Sequence, residues 1–176
     1  PIAAHKEGVL EKTSAIYDSL KDKFRMKFDD RDNVSPGFKF NDWEMRGVPV
    51  RIEIGPRDLE EGVAVLVRRD TSEKITVKIE DLDKELETLL ETIQKDMFNV
   101  CVERKNQKTN VAYSLEEIEK ALAENQGYVK TMWCGDRNCE DKMKEEVGVT
   151  IRCMPLEQED LGNKCVCCGK EANKMI

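Results

Sequence analysis

Apolar residues recur at helical spacing in five stretches of the chain, with charged residues on the opposite face of each. The spacing predicts helices over residues 6–28, 36–46, 81–103, 114–124 and 140–146. The last four residues of the first stretch alternate between polar and apolar types, so a strand is also compatible with them. Ser35 and Ser114 are suited to cap the second and fourth helices at their N-termini, and Gly47 is suited to end the second.

Strand-like patterns lie between these helices, over residues 48–54, 63–68, 75–79 and 149–154, and residues 127–133 also look extended. Turn-forming residues at 70–73 indicate an antiparallel hairpin. The order of elements predicts an α/β chain: a small mixed-sheet domain over residues 1–105, followed by a smaller α+β domain over residues 106–176. We expect the first strand of the first domain to lie upstream of this chain, and the extreme C-terminus of the second domain to be missing.

Composition and charge narrow the possible functions. The 176 residues include 29 basic and 36 acidic side chains, for a net charge of −7. The acidic excess lies in residues 80–126, whereas residues 1–79 are balanced, so RNA binding would need a local surface. We expect neither a membrane-spanning helix nor a secretory signal. His5 is the only histidine, so two-histidine metal motifs are excluded and nucleophilic triads would all depend on this residue.

The cysteines carry the strongest local signal. The seven cysteines are Cys101, Cys134, Cys139, Cys153, Cys165, Cys167 and Cys168. An odd number without an export signal argues against a disulfide framework. Cys134 and Cys139, together with Cys165 and Cys168, form two short-range pairs that can bind one tetrahedral zinc ion, and four sulfur ligands leave no open position for catalysis. Three alternatives remain open. The second ligand pair could be Cys165 with Cys167, the cysteines could be free buried thiols that bind no metal, or they could take part in redox chemistry. We expect Cys101 and Cys153 to pack in the core.

The segment from Gly37 to Asp58 carries a more specific pattern, Trp-Glu-X-X-Gly-Val-Pro-X-Arg-X-Glu-X-Gly-Pro-X-Asp. This pattern resembles the anticodon-binding domain of the prolyl-tRNA synthetases, which are class II aminoacyl-tRNA synthetases. The stretches 132–134, 139–141 and 164–170 resemble the zinc-binding C-terminal domain of the archaeal/eukaryotic-type branch of that family. The resemblance therefore spans essentially the whole chain.

The resemblance implies a ligase that charges tRNA with proline at the expense of ATP. In that family the catalytic domain precedes the anticodon-binding domain, and its motifs are absent here. ATP and Mg would belong only to that missing domain, and the present chain alone should be inactive. The implied partner is the anticodon loop of tRNA(Pro), rather than DNA or a membrane. The parent enzyme should be a cytoplasmic homodimer that pairs through its catalytic domain.

The resemblance also implies roles for single residues. Phe40 would stack against a base, and the polar readers would be Glu44, Arg51, Arg57 and Asp58. The proline anticodon has guanines at its second and third positions. A carboxylate can accept both donors of a guanine Watson–Crick edge, and an arginine can reach guanine O6 and N7.

Other readings of the same residues stay open. Phe40 could be a core residue, Glu44 could form a surface ion pair with Arg51, and Glu53 could bind Arg51 instead of RNA. Arg57 could contact a phosphate. The whole chain could instead be a zinc-stapled protein-interaction module without RNA specificity, with the acidic stretch 80–126 as its docking surface.

Overall fold

The computed structural model describes residues 1–176 as a mixed α/β chain, which confirms the predicted fold class. The chain divides into two compact units, Pro1–Asn99 and Val100–Ile176. None of its helices combines the length and the apolar character that a membrane crossing requires.

A three-stranded antiparallel sheet forms the centre of the first unit. Its strands are β1 (Val50–Glu53), β2 (Val63–Arg68) and β3 (Lys74–Lys78), and β2 lies in the middle. Strands β2 and β3 form the predicted hairpin. Residues 25–28 are not part of any strand.

Four helices surround this sheet along the chain: α1 (Val9–Leu20), α2 (Pro36–Met45), α3 (Pro56–Glu61) and α4 (Leu82–Gln107). The last of these begins after a short 3-10 turn, Ile79–Asp81, and continues into the second unit. The sequence pattern missed α3 because six residues are too few for a helical period. Its signals were local: Pro56 in the first turn and Gly62 at the end with a φ of 69°.

The core of the first unit lies between the sheet and one face of α4. Leu82, Leu86, Leu89 and Ile93 follow each other at helical spacing along α4, and all are buried. They pack with inward-facing residues of β2 and β3, with the end of α1 and with the residue after β1, a set that comprises Leu20, Ile54, Ala64, Leu66 and Val77. Each large side chain buried in this way contributes about 1.5–3 kcal/mol to the stability of the fold. The residues of β1 are therefore part of a well-packed sheet.

The second unit contains two small sheets and two helices in addition to the end of α4. Strands β4 (Thr109–Val111) and β5 (Tyr128–Lys130) are parallel, and α5 (Leu115–Glu124) connects them. Strands β6 (Met132–Trp133) and β7 (Lys174–Met175) are antiparallel, and α6 (Arg137–Val147) follows β6. The Ser114 hydroxyl accepts the Glu117 N–H and so caps α5 as predicted.

Two expectations for the second unit are wrong. Residues 149–154 form no strand: Val149 and Ile151 pack against a hydrophobic cluster, but no neighbouring strand offers backbone hydrogen bonds. Cys101 and Cys153 are exposed instead of buried. Apolar neighbours in sequence suggested burial, but Cys101 lies on an exposed part of α4 and Cys153 in the irregular segment after Ile151.

Candidate functional site

Helix α2 is fixed on one side by a single carboxylate. Asp29 accepts hydrogen bonds from Trp43 Nε1 at 2.7 Å and from Arg31 Nε and Nη2 at 2.8 and 2.7 Å. Lys39, one turn before Trp43, is buried and donates to the Asp29 backbone carbonyl at 3.3 Å. The bonds from Arg31, aided by that from Trp43, hold the pKa of Asp29 well below its usual range. This carboxylate thus stays charged and anchors the face of α2 that carries residues 39 and 43.

The adjacent face of α2 meets strand β1. Phe40 lies one position beyond Lys39, and the guanidinium carbon of Arg51 lies 4.1 Å from the centroid of its ring. At this distance the cation is in contact with one face of the ring, which contributes about 0.5–2 kcal/mol depending on solvation. Phe40 is half-buried, so the structure places it at the boundary between the core and the surface.

Arg51 is held by two carboxylates as well as by the ring. Its Nε donates to Glu53 Oε1 at 2.8 Å, and its Nη1 donates to Glu44 Oε1. A guanidinium carries five N–H donors, so three remain for other partners. Arg51 can therefore bind an acceptor edge or a phosphate without losing either carboxylate.

Glu44 is the outer member of this group. Its side chain is 45% exposed, whereas that of Glu53 is 8% exposed. The second carboxylate oxygen of Glu44 has no hydrogen-bond partner in the protein, so it can accept a donor from a ligand. In the free chain Glu44 and Arg51 form the ion pair considered from the sequence, and the same pair presents both an acceptor and donors.

Arg57 and Asp58 lie on the next element, α3. Asp58 Oδ2 accepts the backbone N–H of Gly55 at 2.7 Å, which ties the carboxylate to the N-terminus of this helix. Arg57 is exposed and forms no ion pair. The structure thus brings Phe40, Glu44 and Arg51 together, whereas neither Arg57 nor Asp58 is hydrogen-bonded to them.

Sequence reasoning missed the supports of this site. These supports are Asp29 and Lys74, whose Nζ lies 3.6 Å from Glu53 Oε2. Only the folded chain brings these residues to α2 and β1, so no local spacing could have revealed them.

The second unit holds a cluster of four cysteines. The Sγ atoms of Cys134, Cys139, Cys165 and Cys168 all lie within 4.8 Å of one another. Cys134 Sγ lies 3.7 Å from Cys139 Sγ and 3.9 Å from Cys168 Sγ. Four sulfurs bound tetrahedrally at about 2.3 Å from a metal are about 3.8 Å apart, so the donor set fits one ion.

Two backbone turns bring the sulfurs together. Cys134 follows β6, and Gly135, with a φ of 89°, turns the chain so that Asp136 caps α6 and Cys139 falls in its first turn. In the second turn Gly169, with a φ of 69°, donates its N–H to the Cys165 carbonyl at 2.9 Å. Both glycines adopt the left-handed conformation that other residues rarely take.

Cys167 lies outside the sulfur cluster. Its thiol donates to the Cys139 carbonyl at 3.2 Å, and burial raises its pKa to about 11. Burial likewise raises the pKa of Cys139. Burial also acts to raise the pKa of Cys165, but hydrogen bonds from the backbone N–H groups of Cys168, Cys167 and Cys134, together with the Cys134 side chain, outweigh it and lower the pKa to about 7. The positions of the sulfur atoms, with Cys165 and Cys168 inside the cluster and Cys167 outside it, group Cys165 with Cys168.

Comparisons with known proteins match both units. The anticodon binding domain family matches residues 1–89, and the family described as prolyl-tRNA synthetase, C-terminal, matches residues 115–176.

A proline–tRNA ligase of Alkaliphilus oremlandii is 52% identical over 176 residues. Relatives named proline–tRNA ligase in Ruminiclostridium cellulolyticum and proline–tRNA ligase 2 in Clostridioides difficile are each 50% identical. All of this chain is covered in each case, but it spans only 37% of the relatives' length. The resemblance read from the sequence is thus confirmed: residues 115–176 match the prolyl-tRNA synthetase C-terminal family, and the chain belongs to the anticodon-binding domain family.

Proposed function

We propose that this chain is the tRNA-recognising part of a proline–tRNA ligase and that it binds the anticodon loop of tRNA(Pro). The observation that carries the proposal is the contact of Phe40, Glu44 and Arg51 within the residues that the anticodon-binding family matches. The catalytic domain of the parent enzyme, which attaches proline to tRNA with ATP and Mg, would lie outside this chain. The chain alone would then bind tRNA without charging it.

The chemistry of the cluster suits a splayed guanine. The Glu44 carboxylate can accept the N1–H and N2–H donors of the base, and the remaining donors of Arg51 can reach O6 and N7. Phe40 offers an aromatic surface for stacking of an unpaired base, which is a recurring mode of single-stranded RNA recognition. One ring face is already occupied by Arg51, so a base would stack on the arginine plane or on the remaining part of the ring.

Arg57 and Asp58 would extend the same surface along α3. The exposed, unpaired Arg57 is suited to a phosphate or a base edge. Asp58 uses one oxygen to cap α3, and its other oxygen remains available as an acceptor for the second guanine.

We also propose that Cys134, Cys139, Cys165 and Cys168 hold a structural zinc ion. The support is the sulfur spacing and the all-thiolate donor set, which zinc prefers in closed sites. The bound ion would supply folding free energy to a unit with two small apolar clusters. The thiolates would fill every ligand position, so this centre would take no part in the ligase reaction.

Binding of the 176-residue chain to tRNA(Pro) tests the proposed function. We expect the affinity to fall by about 1–3 kcal/mol for each anticodon guanine that is replaced. Arg51→Ala should reduce this discrimination, whereas Arg152→Ala, which removes an exposed arginine without an ion pair, should not. Equal binding of unrelated anticodons would reject the proposal.

A salt titration separates this proposal from a protein-interaction module. RNA binding should weaken steeply with salt because phosphate contacts release counterions.

The parent enzyme would be a cytoplasmic homodimer that pairs through its catalytic domain, so the present chain should sediment as a monomer. A stable dimer of this chain would contradict that assignment.

A further inference from the structure

Glu53 is the buried support of the predicted base-reading arginine. It lies two residues from Arg51 on β1, on the same face of the strand. Its Oε1 accepts Arg51 Nε at 2.8 Å, and its Oε2 lies 3.6 Å from Lys74 Nζ on β3. Glu44, Arg51, Glu53 and Lys74 thus form a row of alternating charges across α2, β1 and β3.

The two carboxylates of this row hold Arg51 unequally. The Glu53 side chain is 8% exposed, and that of Glu44 is 45% exposed. An ion pair screened by less water is stronger, and a carboxylate buried on a paired strand has few other positions to adopt. The bond to Nε also sets the plane of the guanidinium, because Nε is the atom nearest the side-chain stem.

That plane determines the contact with Phe40. The guanidinium carbon lies 4.1 Å from the ring centroid, a distance that requires the guanidinium to lie over the ring. Without the Nε bond, Arg51 could rotate off the ring toward Glu44 and water. Its remaining donors would then no longer be held in one place, and a bidentate contact to a guanine depends on such fixed geometry.

We propose that Glu53 is a positioning residue for anticodon reading, which holds Arg51 on Phe40 with its outer donors available for the base. This inference rests on the proposed function. Lys74 lies 3.6 Å from Oε2 of Glu53, whereas Arg51 is held by Oε1. The role of Glu53 is therefore in base discrimination and not in general RNA affinity.

The test compares Glu53→Gln with two matched controls. Glu80→Gln makes the same change at an exposed residue paired with Lys78, and Lys74→Ala removes the other partner of Glu53. For each variant of the 176-residue chain, the dissociation constants of tRNA(Pro) and of transcripts with one anticodon guanine replaced are measured. Glu53→Gln should lower the discrimination ratio about tenfold at the base that Arg51 reads. Glu53→Gln should change the affinity for the transcript that lacks this guanine by less than about twofold. Both control variants should keep the discrimination ratio of the unmodified chain.

A second measurement needs no RNA. The Nε–H resonance of Arg51 should exchange slowly with water in the unmodified chain and rapidly in Glu53→Gln. If Glu53→Gln fails to fold, Glu53→Asp keeps the charge but withdraws the carboxylate by one methylene, and it should show the same two effects.

The outcomes are distinguishable. A lower melting temperature with an unchanged discrimination ratio would show that Glu53 is merely structural and would overturn the inference. An unmodified chain that does not discriminate between anticodons would reject the proposed function, and the inference with it. Loss of discrimination together with loss of the slow Nε–H exchange would support both.

Discussion

Replacement of Cys139 by serine tests the metal centre most directly. Cys139 is the buried member of the first cysteine pair, and its Sγ lies 3.7 Å from that of Cys134. Serine has nearly the same size but is a poor ligand for zinc, so Cys139→Ser removes one of four ligands with little change in packing. Cys153→Ser is the matched control, because Cys153 is exposed and lies outside the cluster.

The expected effect follows from the length of the two ligand turns. Residues 134–139 and 165–168 comprise ten residues, and ordering them costs about 10–20 kcal/mol. A structural zinc ion supplies about 10–16 kcal/mol, which is of the same size. Cys139 and Cys165 are themselves members of the apolar cluster that contains Met132 and Met175. Loss of the ion should therefore disorder both turns and this cluster together.

Two tryptophans allow each unit to be observed separately. Trp43 lies in the first unit, and Trp133 lies in the second, where its Nε1 donates to the Asp136 carbonyl at 3.1 Å. Cys139→Ser should bind less than one metal ion per chain and shift the indole N–H signal of Trp133 to its unfolded position, whereas that of Trp43 stays. Cys153→Ser should change neither. A metal-free Cys139→Ser protein with both indole signals unmoved would refute the reasoning.

Three further predictions concern the first unit. Because the pKa of Asp29 is depressed, its carboxylate stabilises the fold above about pH 4, and this contribution is lost as the pH falls below that value. When the pH is lowered from 6 to 3, the urea concentration at half-unfolding should therefore fall more for the unmodified chain than for Asp29→Asn. Arg68 is buried and donates to both Asp70 and Asp96. Arg68→Ala should cost about 2–3 kcal/mol in urea unfolding at pH 7, and the half-exposed Asp96 keeps this below the cost of breaking a fully buried ion pair; a change below about 0.5 kcal/mol would contradict this. Phe40→Ala should weaken tRNA binding by about 1–3 kcal/mol in anisotropy titrations, and Phe38→Ala, which removes an exposed ring on the same helix, should not.

The sequence predicted those parts of the fold that depend on local pattern. Helix α5 begins at its Ser114 cap, and α2 ends before Gly47, because capping and left-handed glycine are properties of a few neighbouring residues. Residues 149–154 show the limit of this reasoning. Their apolar pattern favours a strand, but a strand exists only where another strand accepts its hydrogen bonds. The same limit applies to Cys101, whose exposure depends on where α4 has neighbours.

The four-cysteine cluster was more predictable than the position of Cys167 relative to it. Both short pairs follow from spacing, since a tight turn can bring two nearby sulfurs to one ion. The choice among Cys165, Cys167 and Cys168 depends on the direction of each side chain in the folded turn. There Cys167 points its thiol at the Cys139 carbonyl, while the other two join the cluster.

The two faces of α2 explain why the proposed site is built on this helix. Residues one turn apart lie on the same face, so Lys39 and Trp43 form one pair and Phe40 and Glu44 form the next. The first pair is bound to Asp29, and the second contacts Arg51 on β1. Strand β1 is in turn paired with β2 along its length. Both elements that carry the site, α2 and β1, are therefore held in place by the rest of the first unit. A base would therefore meet side chains that are already in place, and this reduces the entropy lost on binding.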